Sequence, residues 1–133
     1  MSHKGRRVDL LLGIGTCFLL GIFWLTVSTI QTNQIIQQQF LDRSVVTIAT
    51  NEDRALVFYK DDCSDCQEIF PELYKENLAN DHLLFINLNQ PRNKDYIAKY
   101  QLKTVPTIVT PKGKYAGTDT KKIHQLLEDQ KKE

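Results

Sequence analysis

The chain has 133 residues, a formal net charge of +1, and 41% hydrophobic and 9% aromatic content, enough for one modest domain with a packed core. From Val45 onward, 13 Lys and Arg stand against 14 Asp and Glu, a net of −1. No clustered basic face exists there, which argues against nucleic-acid binding.

In chain order, the first element is the run VDLLLGIGTCFLLGIFWLTVSTI at residues 8–30, in which Asp9 is the only charge and lies near one end. About 20 apolar residues cross a bilayer as a helix, so the run predicts a single N-terminal transmembrane helix. Trp24 fits the far interface, where amphipathic rings collect. Lys4, Arg6 and Arg7 precede the run and residues 31–39 carry no charge. The excess of basic residues on one side predicts a cytoplasmic stretch at residues 1–7 and everything after residue 30 outside. A cleavable signal would have a shorter apolar core and a small-residue cleavage site, which does not follow here; an uncleaved anchor is expected. A lipoprotein signal ending at Cys17 is disfavoured because membrane-type sequence continues past it. Cys17 reads as a small apolar residue.

Residues 31–44 are glutamine-rich and read as a stalk or as an outward extension of the helix. Residues 45–133 then form the exterior domain. A β-branched strand is expected at 45–49 and an apolar strand at 55–59. Helical periodicity follows at 64–80, with Ile69, Phe70, Leu73 and Tyr74 on one face. A third strand is expected at 83–88. A short helix at 93–100 has Asn93 as its expected N-cap. Residues 107–110 and 114–116 predict a hairpin around Pro111, Lys112 and Gly113. An amphipathic helix at 120–130 turns Ile123, Leu126 and Leu127 inward. The order β, β, α, β, α, β, β, α implies an α/β fold with a central mixed sheet flanked by helices.

Chemistry concentrates at Cys63-Ser64-Asp65-Cys66, which follows a buried strand and opens a helix. A cysteine at a helix N-terminus faces unpaired backbone N–H groups and the positive end of the helix dipole. Both favour thiolate, the nucleophilic form. Cys66 lies nearly one turn further along, so Cys63 would attack and Cys66 would resolve the mixed disulfide. The same spacing occurs in zinc sites, but the further ligands available, His82 and His124, look isolated in different elements, so no metal is expected. A plain structural disulfide is the remaining reading of the pair. No flavin or nicotinamide fingerprint is present, so no cofactor is expected and electrons would pass to or from a redox partner protein.

The stretch LVFYKDDCSDC at residues 56–66 resembles the active-site strand and helix of the thioredoxin family. Pro71 falls at that family's helix-kinking proline, KYQLKTVPT at residues 99–107 resembles the segment leading into its cis-proline, and Gly117 also matches. The resemblance implies a thioredoxin-like fold and a thiol-disulfide oxidoreductase. It implies that Pro106 is cis and sits against the cysteine pair, and that Val105 offers its backbone to an extended substrate. Among family members the chain most resembles membrane-anchored thioredoxin-like proteins of Gram-positive bacteria, including those described as bacteriocin transport accessory proteins. That similarity implies cysteine-containing exported proteins as partners, with membrane lipid contacted through residues 8–30. An alternative is a redox-weak accessory domain of a secretion, bacteriocin export or conjugation apparatus.

Departures from the family pattern bear on the chemistry. Asp62 stands where the family has tryptophan, and Ser64-Asp65 replace Gly-Pro. The family's buried acid falls at Val57 and its lysine partner near Asn87, so both members of that charged pair are replaced together. Without the acid, no obvious group takes the Cys66 proton. Asp62 and Asp65 oppose the helix terminus in their effect on the thiols, so reductase, oxidase and isomerase directions all stay open at this point. Asp61, Asp62, Asp65, Glu68, Glu72 and Glu76 read as a solvated face, or as an acidic rim that selects basic partners.

Overall fold

The computed structural model describes residues 3–131, with side chains from residue 13 onward. Residues 1–2 of the expected cytoplasmic stretch, residues 132–133 and the side chains of Lys4, Arg6 and Arg7 lie outside that description. The chain divides into two units, residues 1–37 and residues 38–133.

The first unit is helical. Helix α1, His3–Phe40, continues through the glutamine-rich stretch, so most of the expected stalk is helix up to Phe40. Its segment Gly13–Phe40 is long and apolar enough to cross a membrane. At 1.5 Å per residue, 28 residues span about 42 Å, against about 30 Å of bilayer hydrocarbon. The threonine hydroxyls along it are satisfied within the helix: Thr16 donates to the Gly13 carbonyl at 2.9 Å, Thr26 to Phe23 at 2.8 Å and Thr29 to Thr26 at 2.8 Å. Internal bonding of this kind is what an apolar surrounding requires of polar groups.

The second unit is built around strand β1, Ala55–Tyr59, whose five residues are all buried. An uninterrupted apolar strand of this kind needs cover on both faces and a central place in its sheet. It pairs in parallel with β2, Leu83–Asn87, and antiparallel with β3, Thr107–Thr110, which pairs with β4, Gly113–Ala116. The sheet order is β2-β1-β3-β4, a mixed sheet. The parallel pair needs a long crossover, supplied by helix α2, Ser64–Asn80. Alternation along β1 divides the core. Ala55 and Val57 pack with Ile69, Leu73, Ile108, Ile123 and Leu127, under α2 and helix α4, Thr120–Lys131. Leu56 and Phe58 face the other way with Ile86, Leu88, Tyr96 and Tyr100. Helix α4 buries Ile123 and Leu127, with Leu126 partly covered.

Two expectations are corrected. Residues 45–49 form no strand; the segment lies outside the sheet. Its backbone groups are taken by side chains instead of a ladder: the Val46 N–H by Asn93 Oδ1 at 3.0 Å, the Val46 carbonyl by the Tyr96 hydroxyl at 2.9 Å, and the Ile48 N–H by that hydroxyl at 3.2 Å. Asn93 is also not an N-cap. The expected single helix is a 3₁₀ turn, Pro91–Lys94, capped by the Gln90 side chain, followed by helix α3, Asp95–Lys99. Asn93 is fully buried and its amide donates to the Ser44 and Asn87 carbonyls, each at 3.0 Å. The Asn93→Ala variant is expected to lose about 2–3 kcal/mol of stability, because it strands buried backbone partners. A shift in the urea midpoint at unchanged slope is the measurement.

Candidate active site

Strand β1 ends at Tyr59, and three residues, Lys60, Asp61 and Asp62, carry the chain to Cys63, the N-cap of α2. Cys63 adopts the extended conformation of an N-cap and its sulfur takes the place of the usual capping oxygen, accepting from the Cys66 N–H at 3.2 Å. The Cys66 thiol also points at it, with the sulfurs 2.6 Å apart and both cysteines free. Cys63 is half-buried and Cys66 is buried. Burial pushes the Cys66 thiol up to about 12, and its hydrogen bond to Cys63 pushes the same way. Cys66 therefore holds its proton firmly.

The segment before β3 closes the other side. The Val105–Pro106 peptide bond is cis, and Cys63 Sγ lies 3.7 Å from the Val105 carbonyl. Pro106 is buried and its carbonyl accepts from the Gly117 N–H at 3.0 Å. Gly117 has φ +131, a conformation that strains any L side chain, and a Cβ there would also push on the Tyr115 hydroxyl 2.9 Å away. The structure thus brings Cys63, Cys66, Val105 and Pro106 together around one sulfur.

The residues expected to form one acidic face separate into three groups. Asp61 is buried, a correction to the solvated reading. Its carboxylate accepts from Arg43 Nε at 2.6 Å and Nη2 at 2.9 Å, from Asn87 Nδ2 at 3.0 Å and from Asn89 Nδ2 at 2.5 Å. The Arg43 guanidinium, with the Asn89 and Asn87 amides, holds this carboxyl well below the usual carboxylate range against the cost of burial. Asn87, at the expected lysine position, thus still serves an acid, although that acid is Asp61 and not residue 57. Val57 lies in the apolar core. Asp62, Asp65 and Glu68 are exposed.

The third group is Glu72 and Glu76, which meet the histidines expected to be isolated. His124 Nε2 lies 3.1 Å from Glu72 and its Nδ1 3.4 Å from Glu76, while His82 Nε2 lies 3.3 Å from Glu76. Among the described residues, no group of three or more side chains is arranged to hold a metal ion.

Sequence reasoning missed Arg43 as a partner of the site and Asp61 as a buried group. No local signal marks a pair 18 residues apart on two irregular segments.

Comparison with known proteins agrees with this architecture. No curated protein shows significant similarity to the chain. Among solved structures, Chlamydomonas reinhardtii thioredoxin f2 is 24% identical, with a TM-score of 0.52 over 62% of this chain and 83% of that one. Fasciola hepatica thioredoxin is 19% identical, with a TM-score of 0.50 over 60% and 86%. These likenesses show the fold. The sequence profile of the family described as Thioredoxin matches residues 32–129, and the chain belongs to that family.

Proposed function

We propose that this protein is a membrane-anchored thiol-disulfide oxidoreductase that acts outside the cytoplasm on cysteines of exported proteins. The observation that carries the reading is the Cys63 sulfur at the N-terminus of α2, hydrogen-bonded by the Cys66 N–H and flanked by the Val105 carbonyl. A nucleophile so placed can attack one sulfur of a substrate disulfide, forming a bond to it and releasing the other sulfur as a thiolate that takes up a proton. Cys66, once deprotonated, attacks Cys63 Sγ and releases the second substrate thiol. Two electrons have then passed to the substrate, and the Cys63–Cys66 disulfide remains for a dithiol partner protein to reduce. With substrate oxidised at the end, the same steps run in reverse.

The anchor and its orientation rest on the apolar helix and on Lys4, Arg6 and Arg7 before it. The resemblance to membrane-anchored proteins of Gram-positive bacteria supports the same placement. A redox-weak accessory role in an export apparatus is favoured by one observation, the firmly protonated Cys66.

Insulin disulfide reduction by the full chain in detergent, with dithiothreitol as electron source, separates these readings. Oxidoreductase activity predicts reduction at least tenfold above the Cys63→Ser variant; parity with that variant supports the accessory role. Placement is read by a membrane-impermeant maleimide on intact cells, which labels Cys63 only if the domain lies outside.

A further inference from the structure

A small cavity of about 120 Å³ lies beside the nucleophile, walled by Leu88, Ile97, Leu102 and Val105, with Lys60 and Lys103 also lining it. It adjoins the site through two residues: the Val105 carbonyl lies 3.7 Å from Cys63 Sγ, and the Lys60 carbonyl accepts from the Cys63 N–H at 3.4 Å. An apolar cavity of roughly 150 Å³ holds a benzene, so this one has room for a single aliphatic side chain. Lys103 is exposed and Lys60 partly so. Among the described residues neither ammonium forms an ion pair, although the domain pairs Arg43, Arg54, Lys122 and Lys131 with acids. Two cations without ion-pair partners, lining a pocket whose other walls are mostly aliphatic, complement an apolar side chain next to a carboxylate.

Resting on the oxidoreductase reading, we propose that this pocket sets substrate choice, receiving an aliphatic side chain next to the attacked cysteine while Lys60 and Lys103 pair with an adjacent acidic residue. The preferred substrates are therefore polypeptides with an acidic-aliphatic context at the cysteine. This is opposite to the preference for basic partners that an acidic rim would give. Of that rim, Asp62, Asp65 and Glu68 remain exposed, while Asp61 is buried and Glu72 and Glu76 face histidines.

The test uses the reduced full chain in neutral detergent and synthetic peptides carrying Cys-Leu-Asp, Cys-Leu-Lys or Cys-Gly-Asp, each cysteine capped as a mixed disulfide with thionitrobenzoate. The second-order rate of thionitrobenzoate release is expected to be about fivefold higher for Cys-Leu-Asp than for Cys-Leu-Lys at low salt. High salt should erase that ratio, because the pairs are solvent-exposed. In the Lys60→Gln/Lys103→Gln variant the ratio should fall to near one when each peptide rate is divided by that protein's own rate with neutral hydroxyethyl disulfide, which removes any general change in Cys63 reactivity. Cys-Gly-Asp should react more slowly than Cys-Leu-Asp in both proteins. Equal rates for the Asp and Lys peptides, faster reaction with the Lys peptide, or a preference that survives the double variant would each overturn the inference alone. Absence of reaction with hydroxyethyl disulfide beyond that of Cys63→Ser would overturn the oxidoreductase reading, and this inference with it.

Discussion

Raising the pH from 7 to 9 is expected to speed release of a substrate held on Cys63 about a hundredfold. In the proposed cycle release requires the Cys66 thiolate, and below its pKa the thiolate fraction of a thiol rises tenfold per pH unit. Burial is the larger cause of the high Cys66 value of about 12, and it persists when Cys63 is occupied by substrate. The hydrogen bond between the two sulfurs, the second cause, is lost in that state and leaves the slope unchanged. Val57 and its apolar neighbours offer no carboxylate to draw the proton away. The measurement is single-turnover decay of a preformed mixed disulfide between Cys63 and a chromophoric thiol, followed across this range. Cys66→Ala should abolish the decay at every pH. A flat profile would mean that another group deprotonates Cys66, and burial would not then control turnover.

Replacing Asp61 by alanine is expected to cost about 2 kcal/mol of stability, a large effect for a single side chain outside the apolar core. Breaking a buried pair by removing one member costs about 3–5 kcal/mol when the remaining charge is stranded. Arg43 is not stranded, since its side chain is 59% exposed, which places the loss below that range. The Asn87 and Asn89 amides each lose one acceptor as well, Asn87 keeping the Asp42 carbonyl and Asn89 the Asp62 carboxylate, and each lost hydrogen bond is worth about 1 kcal/mol. The effect depends on pH with a definite sign. The Asp61 carboxyl is lowered in the folded protein relative to the unfolded chain, so its contribution is complete above the ordinary carboxylate range near 3.9. It is lost as the pH falls through the folded value. Wild type and Asp61→Asn should therefore differ by a constant amount from pH 8 to pH 5 and converge in stronger acid. Urea unfolding at a series of pH values reads this directly, and a gap that widened in acid would contradict the assignment. Asp61 also lies two residues before Cys63 and its carbonyl accepts from the Gln67 amide at 3.4 Å. The same variant should slow disulfide exchange by loosening the loop that carries the nucleophile.

These two effects have different origins in the sequence. The Cys66 effect grows from the motif itself, because a cysteine one turn into a helix that follows a buried strand becomes buried as the helix packs. Helix α2 spans residues 64–80, as its periodicity predicts, and α4, the hairpin and the apolar N-terminal helix were legible for the same reason. Each signal lies within one element, where hydrophobic spacing and turn residues act on near neighbours. The cis peptide bond at Pro106 was legible only through resemblance to the family.

Long-range pairing stood outside that reach. Residues 45–49 have the β-branched composition of a strand, yet Asn93 and Tyr96, more than forty residues away, take their backbone groups and keep them out of the sheet. Asp61 looked like one more acid on a solvated face until the fold set it against Arg43, Asn87 and Asn89. His82 and His124 lie on different elements and meet only across Glu76. By itself the sequence determined most of the elements, the cysteine pair at the start of a helix and the apolar helix, because these follow from local spacing. Which polar groups are buried, and with what partners, was decided by tertiary structure alone, because desolvation and charge pairing depend on distances through space.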